Sequence, residues 1–252
     1  MKFSNLLAAT LCLLLPSGAV LAGEPAAGKQ VEQSLETKAA GDMPYLLYLP
    51  SDYGQDGGGK SWPVILFLHG RGESRGPLSK VQVWGPPRMA ARGDDLPYII
   101  VSPQCPADTR WTAQDQQAGL LELLAHIEES FSTDGDRVYL TGLSMGGFGS
   151  WRLAADHPER FAAVAPICGK GDPADGEKLT GVPIWAFHGT EDRSVPFNGS
   201  LEMVEAIKKA GGKKVRFTSL EGVGHNSWSA AYATPELYSW FNRFTRSGNR
   251  KG

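Results

Sequence analysis

Cysteine is scarce in this chain, with three in 252 residues, and only five histidines accompany them. No cysteines or histidines fall at metal-ligand spacing, so neither a disulfide-built scaffold nor a structural zinc site is expected. Charge of one sign is also lacking. The net charge is −2, with a sequence pI near 6.2. That excludes the basic surface a nucleic acid or an anionic membrane demands. Long apolar runs are missing too, except for Leu6 to Leu15. That run is too short to span a bilayer. It follows Lys2 and precedes the small-residue site Val20-Leu21-Ala22, so residues 1–22 are expected to be a secretory signal peptide. Cys12 lies in the run behind Leu11, which argues against a lipid anchor. The expected mature chain, residues 23–252, is exported to the periplasm or secreted, with no membrane span. At that length it suits one large α/β domain. It keeps Cys105 and Cys168, whose positions after non-adjacent strands weigh against a disulfide.

What is present is an alternation of short apolar runs and amphipathic stretches, without internal repeats. Val31 to Thr37 and Tyr45 to Leu49 suggest two edge strands joined at Gly41-Asp42. Residues 51–61, with three consecutive glycines, form a surface loop. Pro63 to Leu68, Tyr98 to Val101, Val138 to Leu140, Phe161 to Ile167, Val182 to Phe187 and Val215 to Leu220 are the further strands. The continuous apolar ones indicate strands buried on both faces. Between them come a long connection at 73–96 with a short helix over Pro87 to Arg92, and an amphipathic helix over 114–130. The latter carries Leu120, Leu121, Leu124 and Ile127 on one face. A helix follows the serine turn and stops near His157-Pro158. Gly169 to Gly181 is a short polar loop, residues 199–210 are a helix, and Pro235 to Phe244 close the chain. Such alternation gives right-handed crossovers and a mostly parallel sheet with helices on both faces. Ligands of such sheets bind at the carboxyl ends of the strands.

One stretch organises the rest. The strand at Val138 to Leu140 runs into Gly142-x-Ser144-x-Gly146, and a helix with Trp151, Leu153 and Ala154 follows. A serine at the apex of a strand-to-helix turn needs neighbours without Cβ atoms two positions away, and it is raised above the sheet. A chain with 31 glycines meets this pattern by chance easily, so the strand and helix around it carry the weight. A serine hydroxyl needs a base, and the base needs a carboxylate to orient it. His126 and His157 fall on or at the end of helices. His69 and His188 each end a strand before a glycine and are expected to hold their turns. His225, in the glycine-rich loop Glu221 to Asn226 after the last strand, is the expected base. Asp192, after the strand ending at Phe187, is the expected acid, with Asp172 and Asp175 as rivals. The backbone N–H groups of Met145 and Arg71 are the expected oxyanion donors.

Four motifs taken together, His69-Gly70-x-Gly72, Gly142-x-Ser144-x-Gly146-Gly147, His188-Gly189-x-x-Asp192-x-x-Val195-Pro196 and Gly224-His225, resemble the α/β-hydrolase superfamily. The details are most similar to secreted bacterial carboxylesterases of the dienelactone-hydrolase, feruloyl-esterase and polyhydroxybutyrate-depolymerase-like group, which is also labelled prolyl-oligopeptidase-like. The resemblance implies an α/β-hydrolase fold, Ser144 as nucleophile, His225 as base and acid, Asp192 as orienter, an acyl-enzyme intermediate, and neither cofactor nor metal. The segment after the sixth strand is too short for the cap domain that many relatives carry, so the site is expected to be open. Residues 73–96 rim it, with Trp84, Trp111 and Trp228 as candidate substrate-facing aromatics.

The function expected is hydrolysis of short-chain or aryl carboxylic esters, on small molecules or linked to polysaccharide. A serine peptidase with the same triad is the alternative, and a non-catalytic binder on the same scaffold is a third reading. An imidazole base also predicts activity that rises with pH as the ring loses its proton.

Overall fold

The computed structural model describes residues 23–249; the expected signal peptide lies outside the described residues. In chain order the strands are β1 (Gln30–Thr37), β2 (Gly41–Tyr48), β3 (Trp62–Leu68), β4 (Ile99–Pro103), β5 (Thr133–Leu143), β6 (Ala163–Ile167), β7 (Ile184–Gly189) and β8 (Val215–Leu220). The helices are α1 (Gly85–Ala91), α2 (Gln114–Ser130), α3 (Met145–Asp156), α4 (Asn198–Lys209), α5 (Trp228–Tyr232), α6 (Pro235–Phe241) and α7 (Arg246–Asn249). All eight strands join one sheet in the order β1-β2-β4-β3-β5-β6-β7-β8. β1 and β2 are antiparallel to each other, β2 is antiparallel to β4, and every pair from β4 to β8 is parallel.

The pleat sends alternate side chains of β3 to opposite faces. Val64, Leu66 and Leu68 enter a core built with Leu120, Leu124, Trp151 and Ile207, under α2, α3 and α4. Ile65 and Phe67 enter the other core with Tyr139, Trp185, Leu237 and Phe241, where α1, α5 and α6 pack. Every residue of β3, β4, β6 and β7 is buried, as their uninterrupted apolar runs require. Each such large side chain contributes roughly 1.5–3 kcal/mol on leaving water.

Strand order decides where a site can form. From β3 the chain moves to β4 on one side, and from β5 it moves to β6 on the other. The loops leaving β3 and β5 therefore diverge, and a crevice opens between them at their carboxyl ends.

Several details differ from the sequence reading. The first hairpin turns at residues 38–40, and Gly41-Asp42 already belongs to β2. β2 is an inner strand, so the edges are β1 and β8. Leu123 is buried on α2 where the periodicity had suggested Leu121, which is half-buried. The segment Gly169 to Gly181 is more than a polar loop. It holds a 3-10 turn, Pro173–Leu179, whose Leu179 and Asp175 are buried. The closing helix ends at Phe241, and α5 precedes it.

Candidate active site

At the end of β5 the backbone is held in a conformation that non-glycine residues rarely adopt. Ser144 has φ 51° and ψ −116°. Its N–H donates to Ile167 O on β6 at 2.9 Å, which fixes the turn to the neighbouring strand. The flanking glycines have no space for a side chain. A Cβ on Gly146 would lie 1.9 Å from Leu68 O, and one on Gly142 would lie 2.5 Å from Gly146 O. A strained φ of this kind costs about 1–3 kcal/mol and persists where the surroundings over-determine it. The crossing of β3, β5 and α3 does so here.

The structure brings Ser144, His225 and Asp192 into one hydrogen-bonded line. The Ser144 hydroxyl donates to His225 Nε2 at 2.9 Å, and His225 Nδ1–H donates to Asp192 Oδ2 at 2.7 Å. His225 rides on the loop after β8 and is about a quarter exposed, while the Asp192 side chain is fully buried. Burial alone would raise the Asp192 pKa. The His225 hydrogen bond and two backbone N–H donors, Val195 and Ser194, outweigh it and hold the carboxyl below its usual range. Asp192 Oδ2 has a further neighbour that the sequence reading assigned only to its own turn. His188 Nε2 lies 3.2 Å away, and it also donates to Val195 O at 3.0 Å. Its Nδ1 meets the Ser200 hydroxyl at 2.8 Å. The i, i+4 spacing of His188, at the end of β7, and Asp192, on the loop after it, was the available signal.

The rival carboxylates are occupied. Asp172 accepts from Ala174 N–H, and Asp175 is paired with Lys178 and Arg152. His69 is a structural pin, as expected. Its Nε2 accepts from Cys105 N–H at 2.9 Å and its Nδ1–H donates to Gly70 O at 2.5 Å, so both nitrogens are used by one neutral tautomer. Burial drives its pKa down to about 4.

Arg71 opens a 3-10 turn, Arg71–Ser74, and Met145 opens α3. The first N–H groups of a helical turn have no partner within it. Both residues line a cleft of about 360 Å³ beside Ser144, together with Arg110, Thr112 and Phe148. Arg110 and Phe148 were not singled out from the sequence. The loop after β4 carrying Arg110 was marked only for its neighbour Trp111.

The aromatics divide. Trp228 stands edge-on to the His225 ring at 5.2 Å, and Trp84 packs against Trp228 at 5.8 Å. Both are half-buried and border the site. Trp111 corrects an expectation. It is fully buried, its indole N–H donates to His69 O, and Gly149 packs on it, so it cannot face a substrate.

Cys105 and Cys168 are both free and buried. Cys168 brings its sulfur within 4.8 Å of ligand atoms of Asp192 and His225. Burial pushes its thiol up to about 12. Both ring nitrogens of His225 are already taken, by Asp192 and Ser144. Among the described residues no helix is long and apolar enough to cross a membrane.

This arrangement can be set beside known proteins. The family model Esterase, described as "Putative esterase", matches residues 37–219. The chain is 32% identical over 164 residues to "Putative esterase NocK" of Nocardia uniformis subsp. tsuyamanensis, covering 60% of this chain and 46% of that one. It is 24% identical over 212 residues to "Probable feruloyl esterase C" of Aspergillus niger, covering 82% of this chain and 76% of that one. A solved thermostable esterase superposes with a TM-score of 0.76 at 29% identity, over 86% of this chain and 63% of that one. The chain thus spans about half of the Nocardia protein and under two-thirds of the solved esterase. With the family model covering most of the described sheet, and the sheet itself wound as in that solved esterase, the chain belongs to the Esterase family of the α/β-hydrolase fold.

Proposed function

We propose that this protein is a serine carboxylic ester hydrolase acting on short-chain or aryl esters through Ser144, His225 and Asp192. The observation that carries the reading is the unbroken line from the Ser144 hydroxyl through His225 to Asp192. His225 Nε2 takes the serine proton as Oγ attacks the ester carbonyl. Asp192 holds the ring in the required tautomer and stabilises the imidazolium that forms. The N–H groups of Met145 and Arg71 receive the oxyanion, a contribution of roughly 3–4 kcal/mol per donor in comparable sites. As the tetrahedral carbon collapses, His225 returns the proton to the leaving alcohol oxygen, and an acyl-serine remains. A water then repeats the sequence, with His225 as base, and releases the acid.

The site lies in the open, because only residues 168–183 separate β6 from β7. An open site supports esters borne on larger molecules, including polysaccharide, as well as small ones. Export to the periplasm or beyond is part of the proposal and rests on the leader-like residues 1–22.

The test is hydrolysis of nitrophenyl acetate and butyrate and of methyl ferulate, with fluorophosphonate labelling of Ser144. Ser144→Ala matching the native chain on all three esters overturns the assignment. Matched ester and anilide substrates separate it from a peptidase, for which a clear anilide preference is the signature.

A further inference from the structure

The cleft beside Ser144 is lined by Arg71, Arg110, Thr112, Met145 and Phe148 in addition to the serine, and it contains no carboxylate. Arg71 Nη1 donates to Thr109 O at 3.4 Å, which lays its guanidinium beside the residue preceding Arg110. Two cationic groups thus share one rim. Neither has an acidic partner within ion-pair distance among the described residues. Other arginines of the chain are committed to partners, Arg88 and Arg216 to the rings of Trp84 and Trp185 and four more to carboxylates. Arg92, Arg137, Arg152 and Arg160 are each held by an aspartate or glutamate. The nearby acids make no ion pair with the rim among the described residues. Asp108 and Asp115 are exposed and form no ion pair, and burial pushes the Glu73 carboxyl towards its neutral form.

The direction of the reaction tells which half of an ester meets this rim. The leaving oxygen must receive its proton from His225 Nε2, so the alcohol lies on the His225 side. Trp228 and Trp84 stand there. The acyl chain then extends across Ser144 into the cleft, along the apolar surfaces of Met145 and Phe148 and towards the two guanidinium groups. Arginine presents a planar fork that matches a carboxylate, with charge-assisted hydrogen bonds. We propose that Arg71 and Arg110 form an anion-recognition subsite on the acyl side, and that the preferred substrates are monoesters of short dicarboxylic acids. The inference rests on the esterase reading and narrows it to a substrate class.

The experiment compares monobenzyl glutarate with the near-isosteric benzyl hexanoate on the purified full chain, following benzyl alcohol. The native protein is expected to favour the glutarate in kcat/KM by roughly tenfold or more at low salt, and less at high salt, because the rim is exposed. Arg110→Gln is expected to lower the glutarate-to-hexanoate ratio by about tenfold, and Arg110→Lys to retain part of it. Arg110→Glu is expected to invert the ratio, a result that misfolding does not produce. Turnover of benzyl hexanoate with a ratio near one, or a ratio that Arg110→Gln leaves in place, overturns this inference alone. A native chain that hydrolyses neither ester and whose Ser144 escapes fluorophosphonate overturns the esterase reading, and this inference with it.

Discussion

The loop after β3 and the loop after β8 each bring one histidine to the same end of the sheet, and the two rings live under opposite conditions. His69 is 1% exposed and bonded to backbone on both nitrogens. Its partners never change, and burial holds it neutral, with a pKa of about 4. His225 is a quarter exposed and bonded to two side chains, the Ser144 hydroxyl and the Asp192 carboxylate. One ring ties two loops together; the other, on the proposed mechanism, moves a proton. Partner chemistry and exposure separate them, whereas residue type and position at a strand end do not.

The strongest way to break this comparison is to remove each ring in turn. His225→Ala should lower kcat on nitrophenyl butyrate by roughly 10³- to 10⁵-fold with little change in melting temperature. His69→Ala should do the reverse. It strands the buried Cys105 N–H and opens a cavity, costing about 2–4 kcal/mol in urea unfolding. A loss of stability in His225→Ala larger than in His69→Ala would erase the distinction.

Next in size comes the acid limb. The unfolded His69 ring takes up a proton near 6.5, while the folded ring resists until about 4. Its folded value is depressed, so the stability it confers is complete above pH 6.5 and is lost as the pH falls towards 4. The loss is on the order of 3 kcal/mol. His188, also lowered by burial, acts in the same direction. Urea midpoints measured between pH 7.5 and 4.5 should therefore fall in the native chain and fall less in His69→Ala. Equal slopes would show that the ring at position 69 titrates normally.

The smallest expected effect sharpens the comparison among carboxylates. Asp172→Asn removes the charge but keeps an oxygen to accept from Ala174 N–H, and should change kcat/KM on nitrophenyl butyrate by less than about twofold. A drop of a hundredfold would place a second acid in the machinery.

Much of this was legible in the chain. The serine turn was readable because glycine at 142 and 146 is a steric necessity, visible as the contacts a Cβ would make. The buried strands announced themselves because parallel strands covered on both faces must be apolar throughout. Asp192 and His225 were picked out by their places after strand ends together with the order Ser, Asp, His that a nucleophile-elbow hydrolase shows. Trp111 was misjudged because a loop position carries no sign of which way its ring turns. It turned inward, where His69 O accepts its N–H. The Gly169 to Gly181 segment looked polar because the residues it buries, Asp175, Gly176 and Leu179, are spread among exposed ones. The arginine rim was hidden for the opposite reason. Arg71 follows β3 and Arg110 follows β4, far apart in the chain, and only the folded sheet brings both to the cleft beside Ser144.

Strand order also sets a schedule. Ser144 follows β5, a strand in the middle of the sheet, yet the ring bonded to it sits on the loop after β8, the final strand at the sheet's edge. Every earlier strand can be in register while the serine remains an ordinary alcohol. On the proposed mechanism, a polypeptide cut short before β8 and the loop after it would hold the serine turn without the base that makes it a nucleophile.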